Sequence, residues 1–297
     1  MYKYFAYGLN IASEIELDEL IARDFIGEAD IEIKLGECPE QITGEKWYGS
    51  WWQINEEHLL FYYTDVIKAL IFRDGRKVTI EILTEDMFQF RSFLYSRILA
   101  ACLLLRGYFL VHGACVKIGD KAVGFCGPSG VGKSTLAWSF HKHGHEVFSD
   151  DVIVLKQDAG KLKMFPGLPR LRMTEEILQE LEPNLEAWEP IKHFPGKMNF
   201  TGHYNFDLEP VILEDLIVLS PENREDVIWC QVSGWEKLQL IEDARYRKGI
   251  ERLIFNREDL LFRRSELANH AKFHKLIRPK QKLCVEDVLE AIIEKFN

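Results

Sequence analysis

The chain is short of the features that mark membrane, secreted, disulfide-built and nucleic-acid-binding proteins. It has no unbroken apolar run of roughly 18 residues, so no membrane span is predicted. Residues Met1 to Gly8 offer neither the basic start nor the apolar stretch of a secretory signal. Cysteine is sparse and scattered, at positions 38, 102, 115, 126, 230 and 284, with no C-x-x-C pair. That spacing argues against a zinc site or a disulfide framework and suits reduced thiols, so the cytoplasm is the expected compartment. Positive charge is also short. Thirty-seven Lys and Arg face 47 Asp and Glu, a formal net charge of −10, and nucleic acid is not an expected partner because phosphate backbones need a basic footprint. No Pro/Ser-rich linker, internal repeat or low-complexity tract breaks the chain.

What remains is ordinary globular composition, with 47 % hydrophobic and 28 % charged residues among 297, enough for one large domain or two modest ones. Charge is unevenly spread. Between Asp243 and Lys282 there are twelve Lys/Arg and five Asp/Glu. Such a stretch reads first as a solvated, salt-bridged helical face, and second as a surface that meets phosphate, an acidic peptide or a partner subunit.

The first ~95 residues read as short strands with turns. Residues 30–35, 58–63, 69–73 and 77–82 alternate or are rich in β-branched and aromatic side chains, and Arg73-Asp74-Gly75-Arg76 supplies a hairpin turn. The aromatic run Trp47-Tyr48-Gly49-Ser50-Trp51-Trp52 is expected to pack on a sheet. From Glu85 to Arg106 apolar residues recur at intervals of three and four, predicting a helix that Gly107 closes. Three short apolar segments follow, at 108–111, 114–118 and 122–126. A glycine loop, a helix over about 132–142 and a strand over 146–149 come next. A final amphipathic helix is predicted over 285–295.

The loop carries the chemistry. Gly127-Pro128-Ser129-Gly130-Val131-Gly132-Lys133-Ser134-Thr135 satisfies G-x-x-x-x-G-K-[ST], follows a predicted strand and opens a predicted helix. Glycines there let successive backbone N–H groups point at phosphate oxygens, and the helix N-terminus adds its positive dipole end. Lys133 is expected to reach the β- and γ-phosphates of ATP, and the Ser134 hydroxyl to hold Mg²⁺. Asp150 and Asp151 end the next strand. Adjacent side chains on extended backbone point to opposite sides, so one can serve Mg²⁺ and the other an incoming hydroxyl. His112 precedes Gly113 at the end of a strand and is a candidate to hold or exchange a carboxylate proton, although a lone histidine is more often structural.

His112-Gly113, the loop 127–135 and Gly144-His145-Glu146-Val147-Phe148-Ser149-Asp150-Asp151, in this order, resemble the catalytic core of HPr kinase/phosphorylase. The resemblance implies a P-loop kinase domain of the HPr kinase/phosphoenolpyruvate carboxykinase type, here over 96–297, behind a β-rich domain over 1–95, an α/β chain overall. It implies that Asp150 takes a serine proton with His112 as its partner, and that Ser134 and Asp151 serve the metal. Where that family carries a glutamate-containing signature linked to phosphorolysis, this chain has Met164–Arg172 without it, and a one-way kinase is expected. Tyr7–Ser13, Phe61–Asp65 and Leu105–Ala114 look like the HPr-kinase-related proteins of peptide natural-product clusters, among them the lasso peptide kinases. By that resemblance the acceptor is a serine on a ribosomally made precursor peptide or small protein. Free serine, HPr itself, and ATP binding without catalysis stand as rivals. Arg170, Arg172 or an arginine of 243–282 is expected to add positive charge, and assembly into a homo-oligomer is left open.

Overall fold

The computed structural model describes every position except 45, 49, 183, 192, 193, 201–205, 207, 281–283 and 297, with backbone only at 46–48. The chain divides into two compact units, Met1–Leu110 with Arg247–Leu261, and Val111–Tyr246 with Phe262–Asn297. The fold is mixed α/β with large sheets.

In the first unit, alternation and turn chemistry produce nine strands. They are β1 (Tyr2–Ala6), β2 (Leu9–Ser13), β3 (Ile21–Ala22), β4 (Ile31–Leu35), β5 (Lys46–Tyr48), β6 (Trp52–Ile54), β7 (His58–Tyr63), β8 (Ile67–Phe72) and β9 (Lys77–Ile82). They form one sheet in the order β3-β1-β2-β4-β9-β8-β7-β6-β5. The Arg73–Arg76 turn joins β8 to β9, as its sequence predicts. Neighbours β2–β4 and β4–β9 pair in parallel, a long-range choice with no local signal. Of the aromatic run, Trp52 is buried against Phe61 at a ring distance of 4.6 Å, and Trp51 stands half exposed against Tyr63. The side chains of Trp47 and Tyr48, and all of Gly49, lie outside the described residues.

The predicted helix is interrupted. α1 (Met87–Phe93) and α2 (Leu99–Leu105) flank a π-helical turn over Leu94–Ile98. Ser96 explains part of this, since its hydroxyl donates to the Ser92 carbonyl at 2.6 Å and competes for the regular ladder. Asp86 caps the start by accepting from the Gln89 N–H. Gly107 follows the last turn with φ 83°, as expected of a residue that ends a helix. By length and composition alone this run could cross a membrane, and 56 % of its most apolar window is buried inside the structure.

The second unit holds the sequence motifs. Its main sheet contains β10 (Phe109–Ile118), β11 (Lys121–Cys126), β12 (Val147–Ser149), β13 (Val152–Asp158) and β14 (Lys161–Phe165). β15 (Arg172–Thr174), β16 (Trp188–Pro190) and β17 (Lys197–Phe200) pair as a separate small sheet, whose Met173, Trp188 and Met198 join the core of this unit. β18 (Val211–Glu222), β19 (Ile228–Gln231) and β20 (Lys272–Pro279) complete the main sheet. The helices are α3 (Lys133–Lys142), α4 (Glu175–Leu181), α5 (Gly234–Ala244) and α8 (Val285–Phe296). α6 (Lys248–Ile254) belongs to the first unit, and the boundary falls within α7 (Arg257–His270).

One pairing sequence positions the site. β12 pairs β10, β10 pairs β11 in antiparallel, β11 pairs β18 in parallel, and β18 pairs β20 in parallel. β11, the strand that feeds the glycine loop, therefore lies between two flanks. Behind it Phe125, Phe140, Val288, Leu289 and Ile292 share one core, each worth about 1.5–3 kcal/mol of burial. α8 is tied to α3 at the surface as well, where the Ser139 hydroxyl donates to Glu286 at 3.0 Å.

Candidate functional site

The segments at 108–111 and 114–118, expected to be separate, are one strand. β10 runs straight through His112 and Gly113, so the histidine projects from mid-strand rather than from a strand end. Gly113 makes this possible. A Cβ there would lie 2.3 Å from the Phe125 carbonyl oxygen and 2.9 Å from Ile153, closer than packed atoms approach.

Beyond Cys126 the chain turns into the loop. Gly127 has φ 137°, and a Cβ on it would lie 2.8 Å from the Leu219 carbonyl oxygen, so strain and crowding both require glycine. α3 begins at Lys133 behind Gly132, which supplies no side-chain cap, so the first-turn N–H groups are available to an anion. Lys133 is buried and folds back, its Nζ donating to the carbonyls of Gly127 and Pro128, each at 2.9 Å. Burial pulls its ammonium below the usual lysine range.

The two aspartates separate. Asp150 is buried, and its Oδ1 accepts from the Ser134 hydroxyl at 2.7 Å while Oδ2 accepts from the Arg172 N–H at 3.1 Å. Burial raises its pKa above the ordinary carboxylate value, against the pull of those two hydrogen bonds. Asp151 adopts φ 82°, in the left-handed region, and this backbone turn sends it elsewhere. Its carbonyl accepts from the Gly113 N–H at 3.2 Å and lies 3.0 Å from His112 Nδ1. Its carboxylate is 3.5 Å from the same nitrogen, and the Tyr246 hydroxyl donates to it at 3.5 Å. The Tyr246 ring is nearly parallel to His112, at 22° and 6.2 Å.

The pairing expected between His112 and Asp150 is therefore corrected. His112 contacts Asp151, and Asp150 contacts Ser134. That pairing was implied by the resemblance; here the left-handed turn at Asp151 brings its carbonyl and carboxylate to His112. Tyr246 was not foreseen; it arrives from 95 positions away.

A cavity of about 370 Å³ gathers these groups. His112, Asp150 and Asp151 line it together with loop residues from Ser129 to Thr135. Gly127 and Pro128 are not among its lining residues; they form the base of the loop behind it. Of the arginines considered, Arg172 and Arg278 reach the wall. Arg170 bears on Asp150 through its charge. Much of the basic 243–282 stretch is salt-bridged, as its first reading expects. Arg245 and Arg264 pair with Glu242, Lys272 with Glu214, and Lys275 with Glu222.

The donor set at the loop suits a hard divalent cation. The Ser134 hydroxyl and the Asp150 carboxylate are oxygen ligands already at hydrogen-bond distance, and Mg²⁺ favours one or two carboxylates completed by substrate phosphates. No cluster of three or more His, Cys, Asp or Glu that could hold a metal occurs among the described residues. The six cysteines are free thiols.

No family model matches the chain, and no curated protein matches it. Among solved structures, the Hpr(Ser) kinase/phosphatase from Coxiella burnetii is similar at a TM-score of 0.33 and 15 % identity, over 63 % of this chain and 93 % of that one.

Proposed function

We propose that the chain is an ATP-dependent kinase that transfers the γ-phosphoryl group to a serine hydroxyl. The observation that carries this reading is the division of labour between adjacent aspartates. Asp150 is bonded to the Ser134 hydroxyl at 2.7 Å, and Asp151 is held by His112, on one cavity with the phosphate loop.

The loop N–H groups and Lys133 bind the β- and γ-phosphates, Lys133 exchanging its two loop carbonyls for phosphate oxygens. Ser134 and Asp150 would hold Mg²⁺, which when bound would supply positive charge to offset the negative charge of transfer. Asp151 takes the place given to Asp150 by the resemblance. Half exposed to the cavity and oriented by His112 and Tyr246, its carboxylate accepts the serine proton as the serine Oγ–phosphorus bond forms. The bond from the γ-phosphorus to the β–γ bridging oxygen breaks, and ADP leaves. A bare nucleotide-binding module has no use for an oriented carboxylate of this kind.

The acceptor class rests on the sequence resemblance. The resemblance of Tyr7–Ser13, Phe61–Asp65 and Leu105–Ala114 favours a serine on a precursor peptide, and peptide tailoring is the role we propose. The test is a panel with labelled ATP and Mg²⁺, holding candidate precursor peptides, free serine, and HPr with and without inorganic phosphate. Labelling of a peptide serine supports the reading. Labelling of free serine or HPr replaces the acceptor, and no labelled acceptor alongside intact ATP binding returns the chain to a nucleotide-binding module.

A further inference from the structure

Arg278 stands apart from the basic stretch to which it belongs. Its guanidinium makes two hydrogen bonds, Nη2 donating to the Val131 carbonyl of the phosphate loop and Nη1 to the Pro279 carbonyl, each at 2.8 Å. Both acceptors are neutral. Among the described residues no carboxylate pairs with it, whereas Arg245, Arg264, Lys272 and Lys275 each have one. It also lines the cavity, and its Nη2 lies 3.7 Å from where a Cβ on Gly132 would be. A half-buried cation without a counterion, fastened to a phosphate loop and facing its cavity, is built to meet an anion.

Strand order says which part of the nucleotide it meets. Asp150 follows β12, two strands from β11 on one flank, and Arg278 sits on β20, two strands from β11 on the other. At about 4.8 Å per strand, the backbones that carry them are roughly 19 Å apart. The acceptor hydroxyl belongs to the aspartate flank, so the far end of the triphosphate belongs to the Arg278 flank. The chain just past Arg278 lines the same cavity with Cys284, Val285 and Val288, an apolar wall suited to a nucleobase.

We infer that Arg278 is a binding residue for the nucleoside side of the nucleotide, its guanidinium contacting the α-phosphate of a nucleoside di- or triphosphate. This rests on the nucleotide reading of the cavity and adds to it. Arg278 selects nucleoside phosphates over bare phosphate chains, and it takes no part in the transferred phosphoryl group.

The experiment is calorimetric titration of the full chain and of R278Q and R278K with ADP, AMP and pyrophosphate, each with Mg²⁺. Gln keeps a donor for the Val131 carbonyl but loses the charge, and Lys keeps the charge without the fork. A charged hydrogen bond lost to R278Q weakens ADP and AMP roughly ten- to hundred-fold, leaves pyrophosphate within about two-fold, and leaves R278K between the wild type and R278Q. Equal weakening of ADP and pyrophosphate overturns the inference, because it makes Arg278 a loop prop or a contact of the terminal phosphate. Unchanged ADP affinity in R278Q overturns it too. Failure of the wild-type chain to bind ADP is a separate result, which sinks the nucleotide reading itself.

Discussion

His112 Nδ1 lies 3.0 Å from the main-chain oxygen of Asp151 and 3.5 Å from its carboxylate, so the histidine and the second aspartate form one unit. D151N is expected to lower phosphoryl transfer by about 10²- to 10⁴-fold, the usual contribution of a positioned base. ADP affinity in the presence of Mg²⁺ stays near the wild-type value. D150N acts differently, raising the Mg²⁺ concentration needed for nucleotide binding. Single-turnover transfer and a Mg²⁺-dependent ADP titration separate the two, and transfer retained in D151N returns the base to Asp150.

A carbonyl oxygen can only accept, so His112 donates from Nδ1 to Asp151. Asparagine can place an amide N–H close to that position. H112N is expected to keep transfer within about tenfold of wild type, and H112A to lose roughly a hundredfold, because only the first preserves the bond that orients the carboxylate. Matching pH–rate profiles for wild type and H112N, with a displaced profile for H112A, mark a positioning role. A histidine that is itself the proton acceptor leaves both variants equally poor.

G113A tests the strand rather than the chemistry. The added methyl would lie 2.3 Å from the Phe125 carbonyl oxygen, a backbone atom that moves only if β10 and β11 part. A loss of at least about 3 kcal/mol is expected in urea unfolding, at the upper end of overpacking costs. A Gly144 substitution is a useful contrast, since its φ of 85° strains other residues but a Cβ there meets nothing within 4 Å.

Burial pushes the Cys102 and Cys126 thiols up to about 12. Folded-state values above the unfolded ones mean stability that is complete below about pH 8.5 and is lost as pH rises, because the unfolded chain then releases protons that the folded chain keeps. Each such thiol steepens the fall by up to about 1.4 kcal/mol per pH unit between its two values. C102A is expected to flatten the decline measured by urea unfolding from pH 8.5 to 10.5. At pH 8 a thiol reagent is expected to label partly exposed Cys230 well before the five buried cysteines.

The phosphate loop was legible because its information is local. Nine consecutive residues specify turn, N–H cradle, lysine and hydroxyl together, and the helix they open is found at 133–142. The hairpin at 73–76 and the last helix were legible for the same reason. The aspartate pair was readable as a pair with two roles, but not which aspartate stands where. Which one faces Ser134 depends on a single backbone angle, the left-handed φ of Asp151, which neighbouring residues do not announce. The continuity of β10 was hidden because a His-Gly step reads as a break, and only the approach of Phe125 from the next strand explains the glycine. Tyr246 reaches Asp151, and Arg278 reaches the cavity, across many intervening residues. The surplus of positive charge near them was visible, but the pairings that give Arg245, Arg264, Lys272 and Lys275 a carboxylate, and leave Arg278 without one among the described residues, belong to the tertiary structure.

Lys133 rests on the carbonyls of Gly127 and Pro128, six and five positions behind it, so its charge is stowed inside the loop it serves. A lysine held this way spends little time searching rotamers, and an arriving anion meets an ammonium already near its working place. Encounter then becomes a hand-over between neutral and anionic oxygens, with little ordering left to do. The loop should take up and release an anion with almost no change in its own shape.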